Sequence, residues 1–579
     1  MSPQRRALKP RRLVPAWVST YRAAWLRDDA AAGATLAVML IPQAMAYASL
    51  AGLPPITGLY AGLVGLLAYA LLGSSSHLSF GPVALVSLLT AAAIDPLAAG
   101  DPTRAVALAG VLAVMVGAIH LLLWLLRAGA IVNLISHPVV VGFTAAAGVI
   151  IALTQVRDLL GVDVPRTERF GEALRVAIEA APDTHVPTAV VAALALLLLL
   201  AGRRYVPRLP VALFVSVAAI IVAVTADLED AGVAVVGAIP AGLPRLEVPT
   251  VAWADARALV GPALVIAMVA YAESISIARA VAGRTRDRVV PNRELLASGA
   301  ANLAAGVTSG YPVAGSFTRT AVVYDAGART QLAGVVAAGA LLVTLGLLTG
   351  LLEPLPRAVL AAIVVMAVIG LVDVEAAVST FRVDRLDGTV LLATFAATLA
   401  LGVELGLLVG VVVNLAWHLA RGMRPAMVEL GRVRGTTVYR NVERYPTVTD
   451  PRGVVLRLDG PLNFLSVQEV VGRLRALAAE RPELEWLILD ASGVTGMDST
   501  GIHALHGVQE DLREAGVTLH LATVRGRQRD LVARAGLWTE LMEGSCHADV
   551  AEALAALGLA SDAPIRTPTP TEERPDELL

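Results

Sequence analysis

The sequence predicts an α-helical polytopic membrane protein of about 14 segments in a 7+7 inverted repeat, followed by a small cytoplasmic α/β domain. Three observations predict it. The 579 residues are 56% apolar and only 16% charged, with a mean hydropathy of +0.69. That is the composition of a bilayer-embedded chain and not of a soluble core. Apolar segments recur in two sets of seven, over about 29–226 and 259–422. Beyond about residue 440 they give way to short strands alternating with amphipathic helices.

Residues 1–28 are expected to form a cytoplasmic arm. They carry Arg5, Arg6, Lys9, Arg11 and Arg12, then Trp17, Tyr21 and Trp25. Aromatic residues between a basic stretch and a first span suit a membrane interface. No short apolar run with a small-residue cleavage site follows, so the arm is read as retained. The first set of segments lies at about 30–50, 55–72, 82–94, 103–126, 137–155, 186–201 and 211–226. The second lies at about 259–281, 294–308, 317–324, 331–350, 355–372, 387–403 and 404–421. Crossing the hydrocarbon takes about 20 helical residues, and the third segment of each set is too short.

Loop charge sets the orientation. Arg127, Arg203, Arg204, Arg208, Arg284, Arg286, Arg288, Arg293, Arg382, Arg385, Arg421 and Arg424 fall in loops that are internal if the N-terminus is internal. Asp227, Glu229 and Asp230 make the loop after the seventh segment acidic and external. Both termini are then cytoplasmic. Seven segments per set invert the second set relative to the first, as in inverted-repeat transporters.

The two short segments carry the chemistry. In the first, Phe80-Gly81-Pro82-Val83 opens a helix, with Pro82 suited to the first helical position. That helix is expected to stop near Asp95-Pro96. In the second, Gly310-Tyr311-Pro312-Val313-Ala314-Gly315 precedes Ser316, a suitable N-cap, and Phe317-Thr318-Arg319. Irregular backbone at membrane depth survives only inside protein or along a cavity. Two such breaks in corresponding places point to a transport site. If they meet, two helix N-termini face one another and their gap attracts an anion.

Arg319 would sit in the first turn of its helix, where a cation opposes the dipole. A nearby anion or carboxylate would explain it, as would an ion pair. Glu273 lies mid-way along the eighth segment and Gln43 at the matching depth of the first. Burial favours a protonated carboxyl and a neighbouring cation favours the ionised one. Glu273 is therefore the candidate proton-coupling residue, the alternative being a permanent salt bridge to Arg319. Glu404 reads as a turn residue between the last two segments.

The excluded classes follow from what is missing. Formal charge is −2 and no broad basic surface marks a nucleic-acid partner. The only cysteine is Cys546, so no disulfide framework is expected. His77, His120, His137 and His418 are scattered, and His503 and His506 lack a third ligand, so no metal or other cofactor is expected. No Gly-x-x-x-x-Gly-Lys run suggests ATP-driven pumping.

In the C-terminal part, Val454–Leu458, Trp486–Asp490 and Leu519–Ala522 read as strands. Helices are expected at about 466–480, 499–515 and 527–535. The domain is placed at 440–560, with a disordered tail at 561–579 rich in Pro, Thr and Glu. Met497-Asp498-Ser499-Thr500-Gly501 opens a helix, with Asp498 or Ser499 as cap. A regulatory phosphate at Ser499 or Thr500 is the alternative.

These motifs resemble those of the SulP (sulfate permease) family of anion transporters, bacterial relatives of the animal solute carrier 26 proteins. The resemblance rests on Ile41-Pro42-Gln43-Ala44-Met45-Ala46-Tyr47-Ala48, Gly52-Leu53-Pro54-Pro55, Gly58-Leu59-Tyr60, His137-Pro138-Val139-Val140-Val141-Gly142-Phe143-Thr144, Ala272-Glu273-Ser274 and Gly315-Ser316-Phe317-Thr318-Arg319-Thr320-Ala321-Val322. Leu489-Asp490 and Met497-Asp498-Ser499-Thr500-Gly501 resemble a STAS domain, some of whose relatives are phosphorylated in this loop. The resemblance implies a core and a gate subdomain, elevator-like alternating access and a homodimer in the cell inner membrane. It places substrate between the third and tenth segments. The matching residues are Gln43, Phe80, Gly81, Glu273, Ser316, Phe317, Thr318 and Arg319. Sulfate with proton symport is the first expectation. Bicarbonate or a dicarboxylate, with sodium or proton, is the alternative, and an anion channel a further one. Cyanobacterial bicarbonate members use an aspartate for sodium near the place of Glu273, which argues against sodium here.

Overall fold

The computed structural model describes residues 16–130, 136–164, 169–206, 210–285, 287–559 and 565–566. Arg5, Arg6, Lys9, Arg11, Arg12, Arg208, Arg286 and most of the 561–579 tail lie outside them. The chain divides into two compact units, Met1–Asn414 and Leu415–Leu579.

Among the helices described between residues 26 and 423, fourteen match the expected segments. The first set is α1 (Leu26–Leu50), α2 (Pro55–Leu72), α3 (Ala84–Ala98), α4 (Pro102–Leu125), α5 (His137–Thr154), α6 (Val186–Tyr205) and α7 (Val211–Thr225). The second is α8 (Val260–Thr285), α9 (Pro291–Gly306), α10 (Phe317–Asp325), α11 (Leu332–Val343, continuing through a π turn to Leu352), α12 (Arg357–Ile369), α13 (Arg385–Leu401) and α14 (Val403–Met423). Among the described residues, nine helices are long and apolar enough to cross a membrane. The third segment of each set is short, as the sequence reading has it. Proline opens α2, α4, α5, α6 and α9 within the first two positions, where its missing N–H costs nothing.

Four details differ from the sequence reading. Pro82 is not the first residue of its helix. α3 starts at Ala84 with Val83 as cap, because Phe80-Gly81 are held extended in a strand and the Pro82 carbonyl is occupied elsewhere. α3 also runs through Pro96 to Ala98, although the proline forfeits the bond an N–H there would make to the Ala92 carbonyl. Glu404 is in the first turn of α14, with Gly402 making the break at φ +91°. Two amphipathic helices, Phe170–Ala180 and Val374–Val383, fill loops where no apolar run announces them.

The described part of the arm holds Ala16–Thr20 as a helix, and Trp17 Nε1 donates to the Ala70 carbonyl at 2.8 Å. Trp17, Tyr21 and Trp25 stack edge to face along it.

The packing separates two groups. α1, α2, α4, α9 and α11 pack closely together, and α5 packs on α13 while α6 packs on α12. A cavity of about 520 Å³ lies between Ser49, Leu88, Ala92 and Asp95 on the first group and Gln155, Glu172 and Leu401 on the second. One close crossing is α4 on α9, which run antiparallel with Gly110 against Gly306 and Gly117 against Gly299. A Cβ at Gly306 would fall 2.6 Å from the Gly110 carbonyl oxygen, and one at Gly117 2.8 Å from Leu303 N. Both neighbours are backbone and cannot swing away. Small residues are what lets two helices come this close in lipid. Gly306→Val should therefore cost about 1–3 kcal/mol through overpacking, read as a lowered unfolding temperature of the purified protein.

The C-terminal unit is one mixed sheet with helices. Its strands are β3 (Ala426–Arg432), β4 (Tyr439–Asn441), β5 (Thr447–Val448), β6 (Gly453–Leu462), β7 (Trp486–Asp490), β8 (Val494–Met497), β9 (Thr518–Ala522), β10 (Cys546–His547) and β11 (Ile565–Arg566), the numbers β1 and β2 belonging to the pair Phe80–Gly81 and Ala314–Gly315 described below. β6, β7, β9 and β10 are parallel, and β3 joins β6 antiparallel. The sheet thus takes in residues upstream of the composition change near 440. One core lies under α15 (Val467–Glu480), α16 (Ser499–Glu514) and α17 (Gly526–Arg534), with Leu458, Leu474, Leu487, Leu505 and Val532 fully buried. A smaller one, with Ile488, Ala522 and Ala553, lies under α18 (Val550–Ala556).

Candidate functional site

The two breaks find each other. Phe80–Gly81 (β1) pairs antiparallel with Ala314–Gly315 (β2), in the register Phe80↔Gly315 and Gly81↔Ala314. Each two-residue strand leads directly to a short helix, α3 and α10. Cross-bonds multiply around the pair. Ser316 N–H donates to the Ser79 carbonyl at 3.0 Å, and Ser79 N–H to Thr320 Oγ1 at 3.0 Å. Gly315 N–H donates to Ser274 Oγ at 2.8 Å. A side chain at Gly315 would fall 3.1 Å from Ser274 Cα, so glycine is needed for α8 to approach.

Ser316 caps α10, its hydroxyl accepting from Arg319 N–H at 3.5 Å. Arg319 is fully buried in the first turn. It reaches across to the first repeat, with Nε donating to Ser79 Oγ at 3.3 Å and Nη1 to the Pro82 carbonyl at 2.8 Å. Its remaining arm, Nη2, is buried and has no partner. That arm lies 3.5 Å from where a Cβ on Gly81 would be. A side chain at Gly81 would therefore sit in van der Waals contact with the guanidinium.

Two further atoms here are buried and unpartnered, Gln43 Oε1 and Glu273 Oε2. Gln43 lies on α1, which packs against both α3 and α10, one turn from Tyr47. Tyr47, Tyr311 and Glu273 are all within Coulombic reach of Arg319. No ion pair joins Glu273 to Arg319 among the described residues, so the salt-bridge alternative does not describe this state. Buried polar groups are paired in the great majority of cases. Three orphans drawn from one donor and two acceptor side chains, at one pair of helix entrances, are what a site made for a polar ligand looks like.

The other sequence candidates divide. The Phe80 ring is fully buried and stacked on Tyr69, with centroids 5.4 Å apart. Only its backbone can serve the site. Phe317 and Thr318 are exposed at the start of α10, and Thr318 Oγ1 lies 3.3 Å from Ser316 Oγ. Sequence reasoning missed Ser79, Tyr47 and Thr320, and the carbonyl of Pro82. A hydroxyl next to a Gly-Pro break was the available signal for Ser79.

Comparison with known proteins can now be set beside this geometry. The sulfate permease family profile matches residues 26–394 and the STAS domain profile residues 439–553. The chain belongs to the sulfate permease family. Among its relatives is a probable sulfate transporter of Mycobacterium tuberculosis, 38% identical over 525 residues, which span 90% of this chain and 94% of that one. Sulfate transporter 4.1, chloroplastic, of Arabidopsis thaliana is 34% identical over 539 residues, 90% of this chain and 78% of that one. Among solved structures, the murine solute carrier 26 family member A9 anion transporter in the inward-facing state superposes with a TM-score of 0.87 at 22% identity, covering 94% of this chain and 93% of that one. The transmembrane domain of the cyanobacterial bicarbonate transporter BicA gives 0.58 at 24% identity, covering 68% and 98%.

The STAS domain carries the loop that opens α16. Asp498 caps it, accepting from Gly501 N–H at 2.8 Å, and also accepts from Phe464 N–H at 3.0 Å. Ser499 and Thr500 are exposed. The cap accounts for Asp498, and the two hydroxyls are free of that duty. Asp498→Ala should cost about 1 kcal/mol of domain stability. A lowered unfolding temperature with anion uptake unchanged is the expected pair of readouts. No group of three or more His, Cys, Asp or Glu side chains gathers among the described residues.

Proposed function

We propose that the chain is a secondary active anion transporter that takes up sulfate together with a proton. The observation that carries the reading is the unpartnered Nη2 of the buried Arg319, held between two facing helix entrances. Arg319, Ser316 and the entrance N–H groups would hold the oxyanion, with Gln43, Phe80, Gly81, Phe317 and Thr318 around it. Sulfate is favoured over bicarbonate or a dicarboxylate because the relatives named as sulfate transporters match over 90% of this chain. Glu273 is the proposed proton carrier, since its Oε2 lacks any donor.

Two separately packed helix groups with a cavity between them support elevator-like access, one group carrying α3 and α10 past the other. The internal arginine loops support cytoplasmic termini in a cell inner membrane. A homodimer and the domain limits 29–422 and 440–560 complete the proposal. Labelled sulfate, bicarbonate and dicarboxylates offered to proteoliposomes, under an imposed proton or sodium gradient, test it. Saturable sulfate uptake driven by the proton gradient is expected. Uptake that follows sodium, or flux that does not saturate, would replace the reading.

A further inference from the structure

We propose that α9 is a spacer that fixes the distance between the two helix entrances, with Glu294 and Asn302 as positioning residues for anion selection. The inference rests on the proposed site at Arg319. Glu294 and Asn302 are both fully buried. They are eight residues apart on α9, about 12 Å along the axis.

Glu294 holds the approach to the first entrance. Its carboxylate accepts from Tyr69 Oη–H at 2.8 Å, Ser74 N–H at 2.9 Å and the Ser74 hydroxyl at 2.5 Å. Ser74 begins the short segment that runs to Ser79 and into β1. Gln331 Nε2 stiffens that segment by donating to the carbonyls of Ser75 and Leu78. Ser79, at its far end, accepts from Arg319 Nε. A fixed Glu294 therefore fixes the frame on which the guanidinium hangs.

Asn302 holds the approach to the second entrance. Its Oδ1 accepts from Val313 N–H at 2.9 Å and its Nδ2 donates to the Val313 carbonyl at 3.0 Å. Val313 immediately precedes β2. One helix thus grips a residue ahead of each break. A spacer must be stiff to act as one. The α4 contacts supply that: a Cβ at Gly306 would fall 2.6 Å from the Gly110 carbonyl oxygen, and one at Gly299 2.7 Å from the Leu121 side chain and 3.1 Å from the Gly117 carbonyl oxygen. Neither Glu294 nor Asn302 hydrogen-bonds to Arg319, so their effect on binding passes through the geometry they set.

A purely structural role would change the amount of folded protein, or affinity for every anion alike. A spacer changes discrimination by size among anions of one charge. The test uses full-length protein in proteoliposomes, with sulfate uptake competed by selenate and by molybdate, tetrahedral dianions of increasing size. Glu294→Gln and Asn302→Asp are each expected to raise the apparent KM for sulfate at least fivefold with turnover within twofold. The ratio of molybdate to sulfate affinity should shift at least threefold. Tyr69→Phe, which removes one donor to Glu294, should move the ratio the same way by less, and it carries the test if Glu294→Gln does not fold. Equal shifts for all three anions, or no shift, would overturn the spacer. Arg319→Gln run in parallel separates the two ideas. If it leaves KM unchanged, the site itself is misplaced; if it raises KM and the α9 variants do not, only the spacer falls.

Discussion

Arg319→Gln is expected to lower apparent anion affinity about 10- to 150-fold while leaving the membrane unit as stable as before. The affinity loss follows from one charge-assisted hydrogen bond, worth about 1.5–3 kcal/mol, at tenfold per 1.4 kcal/mol. The stability half follows from the residue's surroundings. Glutamine gives up the bonds to Ser79 Oγ and the Pro82 carbonyl. It also removes a charge whose insertion at membrane depth costs about 2.5–3.5 kcal/mol and an Nη2 that nothing in the protein satisfies. The two changes offset. Arg319→Lys separates charge from shape. A lysine keeps the cation but has no planar fork to rest on two acceptors and still present a third arm, so it should fall between wild type and glutamine. Concentration-dependent uptake measures the first effect and thermal unfolding the second. Unchanged affinity with a lowered unfolding temperature would make Arg319 a strut between the repeats instead of a ligand.

The division of labour around Arg319 also explains what the sequence could and could not disclose. Short helices interrupted by Gly and Pro have local causes, so α3 and α10 were legible, as was the Ser316 cap. Gln43, Glu273 and Arg319 were legible because a polar side chain in an apolar run costs free energy wherever it goes. The pairing of β1 with β2 was not. The residues paired in Phe80-Gly81 and Ala314-Gly315 are 235 and 233 positions apart in sequence, and nothing in either dipeptide names its partner. Glu294 and Asn302 went unnoticed for a related reason. Each is near a helix end or a polar loop in sequence, where solvent would normally satisfy it, and only the fold reveals that both are fully buried. β3 was missed because Glu429 and Arg432 interrupt its apolar pattern. Glu429 is in fact neutralised by Arg481 at 2.7 Å.

Glu273→Gln should abolish proton-driven accumulation while anion exchange persists. Glu294 is fully buried and Glu273 half-buried with its Oε2 enclosed, and their surroundings differ. Glu294 accepts three hydrogen bonds and is built into the fold. Those donors hold its side chain in one place. Glu273 Oε2 has no donor at all, yet it lies within Coulombic reach of Arg319. On the proposed reading, an arriving dianion would offset the Arg319 charge and set its own negative charge beside Glu273. Anion and proton then bind together more readily than apart, and by linkage each raises the affinity for the other. Glutamine has nearly the same shape but no proton to exchange. It should bind anion with an affinity that no longer varies with pH, and should pass anion both ways without gaining from a pH gradient. Accumulation under an imposed gradient, counterflow exchange and the pH dependence of apparent affinity are the three measurements. If the glutamine variant still concentrates anion against its gradient, with the wild-type pH profile, the proton travels by another group. The coupling argument would then fail even though Arg319 remained the anion's partner, because it depends on Glu273 being the one acid here that the fold leaves unsupplied.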